Sequence, residues 1–174
     1  QCHIPAFAKL CPHQAFMKPT STATATHHDQ HGRYAQVRTV ADMHRHLVAI
    51  QARIEAACLR AGRDPAQVRL LPVSKTQPEA LVRLAYAAGL RMLGENKPQE
   101  ALQKWEATQD LSGLRWSVIG HLQTNKAADA VALFDVIETV DSEKLARALA
   151  DEMKKQNRHL PCFIQVNTGD EPQK

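Results

Sequence analysis

Lys75 is the residue of this chain best placed for covalent chemistry. It follows the apolar run Val68 to Val73 and is flanked by hydroxyls in Val73-Ser74-Lys75-Thr76. A lysine at the end of a buried strand is expected to be partly desolvated, which favours its neutral amine. A neutral amine adds to an aldehyde and forms an imine. Position alone leaves a plainer reading open, that of a solvated loop lysine. His121, directly after Gly120, is a second candidate, as a ligand or an acid-base group. Asn96 can donate or accept beside a ligand, but asparagine is also a common turn residue. Asn125 and Lys126 open a helical stretch whose N-terminus attracts anions; equally, Asn125 is a cap and Lys126 is solvated.

These residues need elements to position them. Leu47, Ile50, Ile54, Ala57, Cys58 and Ala61 recur at three- and four-residue steps, the mark of an amphipathic helix, and Gly62 follows as its C′ residue. Beyond the Asp64-Pro65 turn, strands and helices alternate. Strands are expected over 68–73, 90–93, 116–119, 134–140 and 162–166. Helices are expected between them. One opens on a capping box at Thr76-Gln77-Pro78-Glu79 with Leu81, Leu84, Ala85 and Ala88 inward. The next runs from Pro98 to about Thr108 with Leu102 and Trp105 inward. The others span 124–133 and 142–156, the last with Leu145, Ala148, Leu149 and Met153 on one face.

Steps of about 18 to 28 residues between strand starts suit consecutive βα units with right-handed crossovers in a parallel sheet. Two architectures compete, a doubly wound open sheet and a (β/α)8 barrel. No G-x-G-x-x-G follows the first strand, which weighs against a dinucleotide-binding open sheet. Polar residues gather just after strand ends: Ser74-Lys75, Glu95-Asn96, His121, Asp141 and Asn167-Thr168. A barrel brings all of them to one rim, where active sites form. Five units do not close such a barrel, so the chain of 174 residues reads as truncated at its C-terminal side.

Composition bounds the function. With 44% hydrophobic, 23% charged and only 5% aromatic residues, this is an ordinary globular composition with an aliphatic core. The formal charge of +4 is spread along the chain without a basic run or aromatic ladder, which suits a small phosphate-bearing ligand better than nucleic acid. No apolar run is long enough to span a bilayer, and no charged n-region followed by an apolar h-region stands at the start, so neither a secretory signal nor a membrane partner is expected. Cys2, Cys11, Cys58 and Cys162 form no C-x-x-C pair and read as incidental or buried thiols of a cytoplasmic protein. Residues 1–40 differ from the rest. Their Thr-, Ser- and His-rich stretch has no apolar period, and they are expected to form a disordered extension that loosely resembles a transit peptide. Within it His27, His28 and His31 lack a partner ligand, so no metal site is expected. The ordered part, 41–174, is expected to begin near Met43.

Several segments together carry a family resemblance. Leu71-Pro72-Val73-Ser74-Lys75-Thr76, Gly94-Glu95-Asn96 with Gln99-Glu100, Trp116-Ser117-Val118-Ile119-Gly120-His121-Leu122-Gln123-Thr124-Asn125-Lys126, and Gln165-Val166-Asn167 resemble the YggS-type pyridoxal phosphate homeostasis proteins in order and spacing. That family is similar to the N-terminal barrel domain of alanine racemase. The resemblance covers about residues 43 to 174. It implies a TIM-type (β/α)8 barrel of the alanine racemase N-terminal kind, here its first five or so βα units. It implies that Lys75 holds pyridoxal 5′-phosphate (PLP) as a Schiff base, with Asn96, His121 and Asn167 lining the cofactor face and no established catalytic turnover. The alternative is a PLP-dependent, racemase-like enzyme acting on amino acids. Implied partners are PLP itself and amino acids or PLP-accepting apoenzymes, with a monomeric full-length form. Two departures stand out. Lys97 occupies a position where the family usually has an aromatic residue. The loops that hold the PLP phosphate are expected beyond Lys174, so the chain is expected to bond the cofactor while gripping its phosphate weakly.

Overall fold

The computed structural model describes residues 37–169. The expected disordered extension over 1–40, with Cys2, Cys11 and the three histidines, lies outside the described residues as far as residue 36, whereas Thr39 and Val40 belong to the start of a helix.

Helix α1 (Val40–Arg60) starts ahead of Met43 because Thr39 and Asp42 form a capping box. The Thr39 hydroxyl accepts the Asp42 N–H at 3.1 Å, and the Asp42 carboxylate accepts the Thr39 N–H at 2.9 Å. The helix stops as expected at Gly62, whose φ of 62° is left-handed. There Arg63 N–H reaches back to the Cys58 carbonyl at 2.9 Å and Gly62 N–H to that of Leu59 at 3.2 Å, so the last carbonyls keep partners. A single 3-10 turn (Pro65–Gln67) capped by Asp64 follows.

From there the chain alternates: α2 (Glu79–Ala87), β1 (Met92–Glu95), α3 (Pro98–Ala107), β2 (Arg115–Val118), α4 (Ala127–Leu133), β3 (Val136–Val140), α5 (Glu143–Lys155) and β4 (Cys162–Ile164). The four strands are parallel and ordered β1-β2-β3-β4, and Val73 adds a single parallel bridge to Gly94 outside β1. Sequence order and spatial order therefore coincide. A doubly wound sheet would reverse direction after its first strands; this one never does. It is the progression of a (β/α) barrel, and right-handed crossovers in one direction place the helices on one face.

The register defines the two faces. Leu93 lies beside Trp116, and Glu95 beside Val118, which lies beside Ile137; these point toward the helices. Gly94, Ser117 and Val136 form a row on the opposite face. The core lies between sheet and helices: Trp116, Val118, Ala130, Val131, Phe134, Ile137, Leu145 and Leu149 are almost wholly buried. The expected inner face of α5 is the observed one, with Leu145 and Leu149 buried and Ala148 and Met153 against the core.

Five expectations are corrected. Val68–Val73 is not a strand: only Val73 pairs, because Pro72 lacks an N–H and the ladder has a partner in β1 alone among the described residues. The Thr76–Glu79 capping box does not form; Pro78 precedes α2 without a side-chain cap, and the Thr76 hydroxyl donates to the Lys75 carbonyl at 2.6 Å. Helix α3 is rotated from the expected phase. Leu102 and Trp105 face outward at 44% and 36% exposure, while Pro98, Ala101 and Lys104 face inward. Finally, the strand expected over 90–93 runs Met92–Glu95 instead, and β4 is exposed along its length, Cys162 included. No helix among the described residues is long and apolar enough to cross a membrane.

Candidate functional site

Parallel strands end at the same edge, so the segments after Val73, β1, β2, β3 and β4 come together there. Lys75, Asn96, His121, Asp141 and Asn167 all lie on these segments.

Side-chain alternation separates Ser74 from Lys75. Val73 sits beside Gly94, in the row facing away from the helices. Ser74 points the other way and is buried among the helix-facing residues, where its hydroxyl donates to Glu95 Oε1 at 2.7 Å. Lys75 follows in a turn, one residue beyond Ser74. It is exposed, so the expected desolvation is not found. Its amine makes no hydrogen bond or ion pair with any described residue. Thr76 next to it has a φ of 61°, a left-handed conformation uncommon for a β-branched residue.

The loops after β1 and β2 are almost in backbone contact. A Cβ on Gly120 would lie 2.3 Å from the Asn96 carbonyl oxygen and 2.8 Å from Asn96 Cα. Only glycine allows this approach. The Gly120 carbonyl accepts the Thr139 hydroxyl at 2.7 Å, tying the β2 loop to β3. His121, 72% exposed, has Nδ1 2.9 Å from Asp141 Oδ2, so the imidazole is oriented by the next strand's loop and its Nε2 remains available. On the face of Gly94 and Ser117, the Ser117 hydroxyl donates to Glu138 Oε1 at 2.9 Å.

The structure thus brings Asn96 and His121 to neighbouring loops and gives His121 an anchor in Asp141. It joins neither Lys75 nor Asn167 to the others by a hydrogen bond. Asn167 Oδ1 instead accepts the Gly169 N–H at 3.3 Å and shapes its own loop. Asn125 lies exposed in a 3-10 turn, and Lys126 is 3.4 Å from Asp129. No group of three or more His, Cys, Asp or Glu among the described residues is arranged to hold a metal ion. An apolar groove lined by Leu102, Trp105, Ala132 and Leu133 lies elsewhere, in the helix layer.

Sequence reading missed the cluster of Glu95, Lys104 and Ser74. Lys104 Nζ lies 2.5 Å from Glu95 Oε1 and 2.5 Å from the Ser74 carbonyl oxygen. Two signals were available. Glu95 ends an apolar strand, where a buried charge needs a partner. Ala101, Lys104 and Thr108 also recur at helical spacing on one face of α3.

Residues 45–171 match the family described as the N-terminal domain of alanine racemase. The pyridoxal phosphate homeostasis protein of Pseudomonas aeruginosa PAO1 is 44% identical over 128 residues, 74% of this chain and 55% of that protein. The protein of the same name from Escherichia coli K12 is 38% identical over 135 residues, 76% of this chain and 58% of its own length. PipY of Synechococcus elongatus PCC7942, solved with PLP bound, superposes with a TM-score of 0.60 at 41% identity, covering 70% of this chain and 56% of PipY. The chain therefore spans little more than half the length of the curated relatives it matches.

Proposed function

The chain belongs to the family of the alanine racemase N-terminal domain, and on that footing we propose that it is a cytoplasmic PLP-binding protein of cofactor homeostasis in which Lys75 bonds the cofactor. The observation that carries this reading is the placement of Lys75. Its amine is exposed, unpaired and held at the strand-end edge shared by Asn96 and His121. The relatives named for PLP homeostasis and the PLP-bound PipY structure support it.

The residues present suit a phosphorylated aldehyde. Lys75 would hold the cofactor through Nζ, whose neutral form would condense with the aldehyde, a C=N bond forming as the carbonyl oxygen is lost as water. Bound PLP supplies an electron sink and a transferable aldehyde. Asn96, and Asn167 from the last strand's loop, offer amide groups that hydrogen-bond polar substituents. His121, oriented by Asp141, offers Nε2 on the same edge. Reversible condensation at Lys75 lets the chain store PLP and release it by hydrolysis to an acceptor apoenzyme.

Adding PLP to the chain is expected to produce the absorption band of a Schiff base, and borohydride is expected to fix the cofactor to Lys75 in a peptide map. Lys75→Ala should weaken PLP binding by about tenfold or more. Binding by Lys75→Ala equal to that of the parent would sink the proposal.

The His121–Asp141 pair favours a second reading, racemase-like chemistry on amino acids, because an oriented imidazole can move a proton. Exchange of an amino acid's α-proton in deuterated water, lost in His121→Ala, would select that reading over carriage alone.

A further inference from the structure

Ser74, the residue before Lys75, has every polar group engaged. Its N–H donates to the Gly94 carbonyl at 2.9 Å. Its hydroxyl donates to Glu95 Oε1 at 2.7 Å. Its carbonyl accepts Lys104 Nζ at 2.5 Å and the Gln77 N–H at 3.0 Å. Lys104 and Glu95 are themselves an ion pair at 2.5 Å. Exposure is 0% for Glu95, 6% for Ser74 and 9% for Lys104.

Stability does not explain such a pair. Taking two charges out of water costs roughly what their attraction returns, and apolar residues of similar size serve a strand–helix contact equally well. Glu95 Oε2 even lacks a partner among the described residues. Location is more telling. The Ser74 carbonyl belongs to the peptide unit that also contains the Lys75 N–H, so Lys104 grips the plane from which Lys75 departs. On the far side Thr76 holds its left-handed φ of 61°. A backbone conformation of that kind persists only where its surroundings over-determine it. The surroundings here are the hydrogen bonds of Ser74.

We infer that Glu95 and Lys104 are positioning residues which, acting through Ser74, fix the backbone at Lys75 so that its amine is presented on the ligand side of the sheet. This rests on the reading of Lys75 as the PLP lysine. The two side chains touch neither ligand nor reacting atoms; their action is confined to the direction and rigidity of the lysine's attachment.

The test uses the full chain and the double variant Glu95→Gln/Lys104→Met, which removes both charges at nearly constant volume and leaves no unpaired ion. Without PLP, amide exchange over residues 72–78 is expected to quicken by about tenfold while exchange in β2 and β3 stays as in the parent. With PLP, affinity read from the Schiff-base band is expected to fall by about tenfold. Local exchange and affinity both equal to the parent's would overturn the inference. So would faster exchange with unchanged affinity, because the backbone would then be held to no effect on Lys75. Should the double variant not fold, Ser74→Ala, which deletes one hydroxyl, replaces it, with local exchange a few-fold faster as the expected result and parent-like exchange as the overturning one. Failure of the parent itself to bond PLP at Lys75 would remove the functional reading, and the exchange measurement would still decide whether the cluster fixes this backbone.

Discussion

Strands β2 and β4 are close in apolar character and opposite in environment. Trp116, Ser117 and Val118 in β2 are 0% or 1% exposed, whereas Phe163 and Ile164 in β4 are 46% and 82% exposed. The cause is neighbours. β2 has a strand on each side and helices over one face; β4 pairs with β3 alone among the described residues. An apolar run makes a strand; burial depends on what else packs against it.

Truncation separates the two regions most. Trp116→Ala is expected to destabilise the chain by about 3–5 kcal/mol, and Ile164→Ala by no more than about 0.5 kcal/mol. Urea unfolding measures both, and equal losses would mean that β4 is buried in solution. A smaller effect is expected where the β1 and β2 loops meet. Gly120→Ala forces a methyl against the Asn96 backbone, which must shift, at a cost of about 1–3 kcal/mol. The melting temperature should fall, and the chemical shifts of Asn96 and His121 should move together; movement of His121 alone would show that the loops are not in contact. The smallest effect belongs to the rim at the start of α1. The Thr39 hydroxyl, with the Arg38 and Thr39 amides, holds the Asp42 carboxyl down from 3.8 to about 2. Because the folded value lies below the unfolded one, the cap contributes fully above pH 3.8 and is lost as pH falls toward 2. Asp42→Asn should remove that part of the acid dependence of α1 helicity, read by circular dichroism; an unchanged acid profile would assign it to other carboxylates.

The centre of the molecule was more legible in the sequence than its rim. Alternating βα units, the end of α1 at Gly62 and the inner face of α5 follow from periodicity and turn chemistry, which are local. The phase of α3 was not readable that way. Apolar size argued for Leu102 and Trp105 inside, but Glu95 demands a cation and Lys104 supplies it, turning the helix. The capping box expected at Thr76 is found instead at Thr39, with aspartate in the place usually taken by glutamate. At the candidate site, Asn96 and His121 could be placed after strand ends from spacing alone, whereas the strand expected before Lys75 is reduced to a single bridge at Val73. The orientation of His121 by Asp141 could not, because it joins residues on different loops.

Thr76 is where local preference and the fold disagree most plainly. Its left-handed backbone would be met at no steric expense by glycine, yet the chain carries a β-branched residue there, beside the amine of Lys75. In landscape language this is a frustrated position: strain of about 1–3 kcal/mol is retained in the native basin and not relaxed away. Replacement by glycine would therefore be a stabilising change with a functional penalty, trading a sturdier chain for a looser hold on the lysine it adjoins.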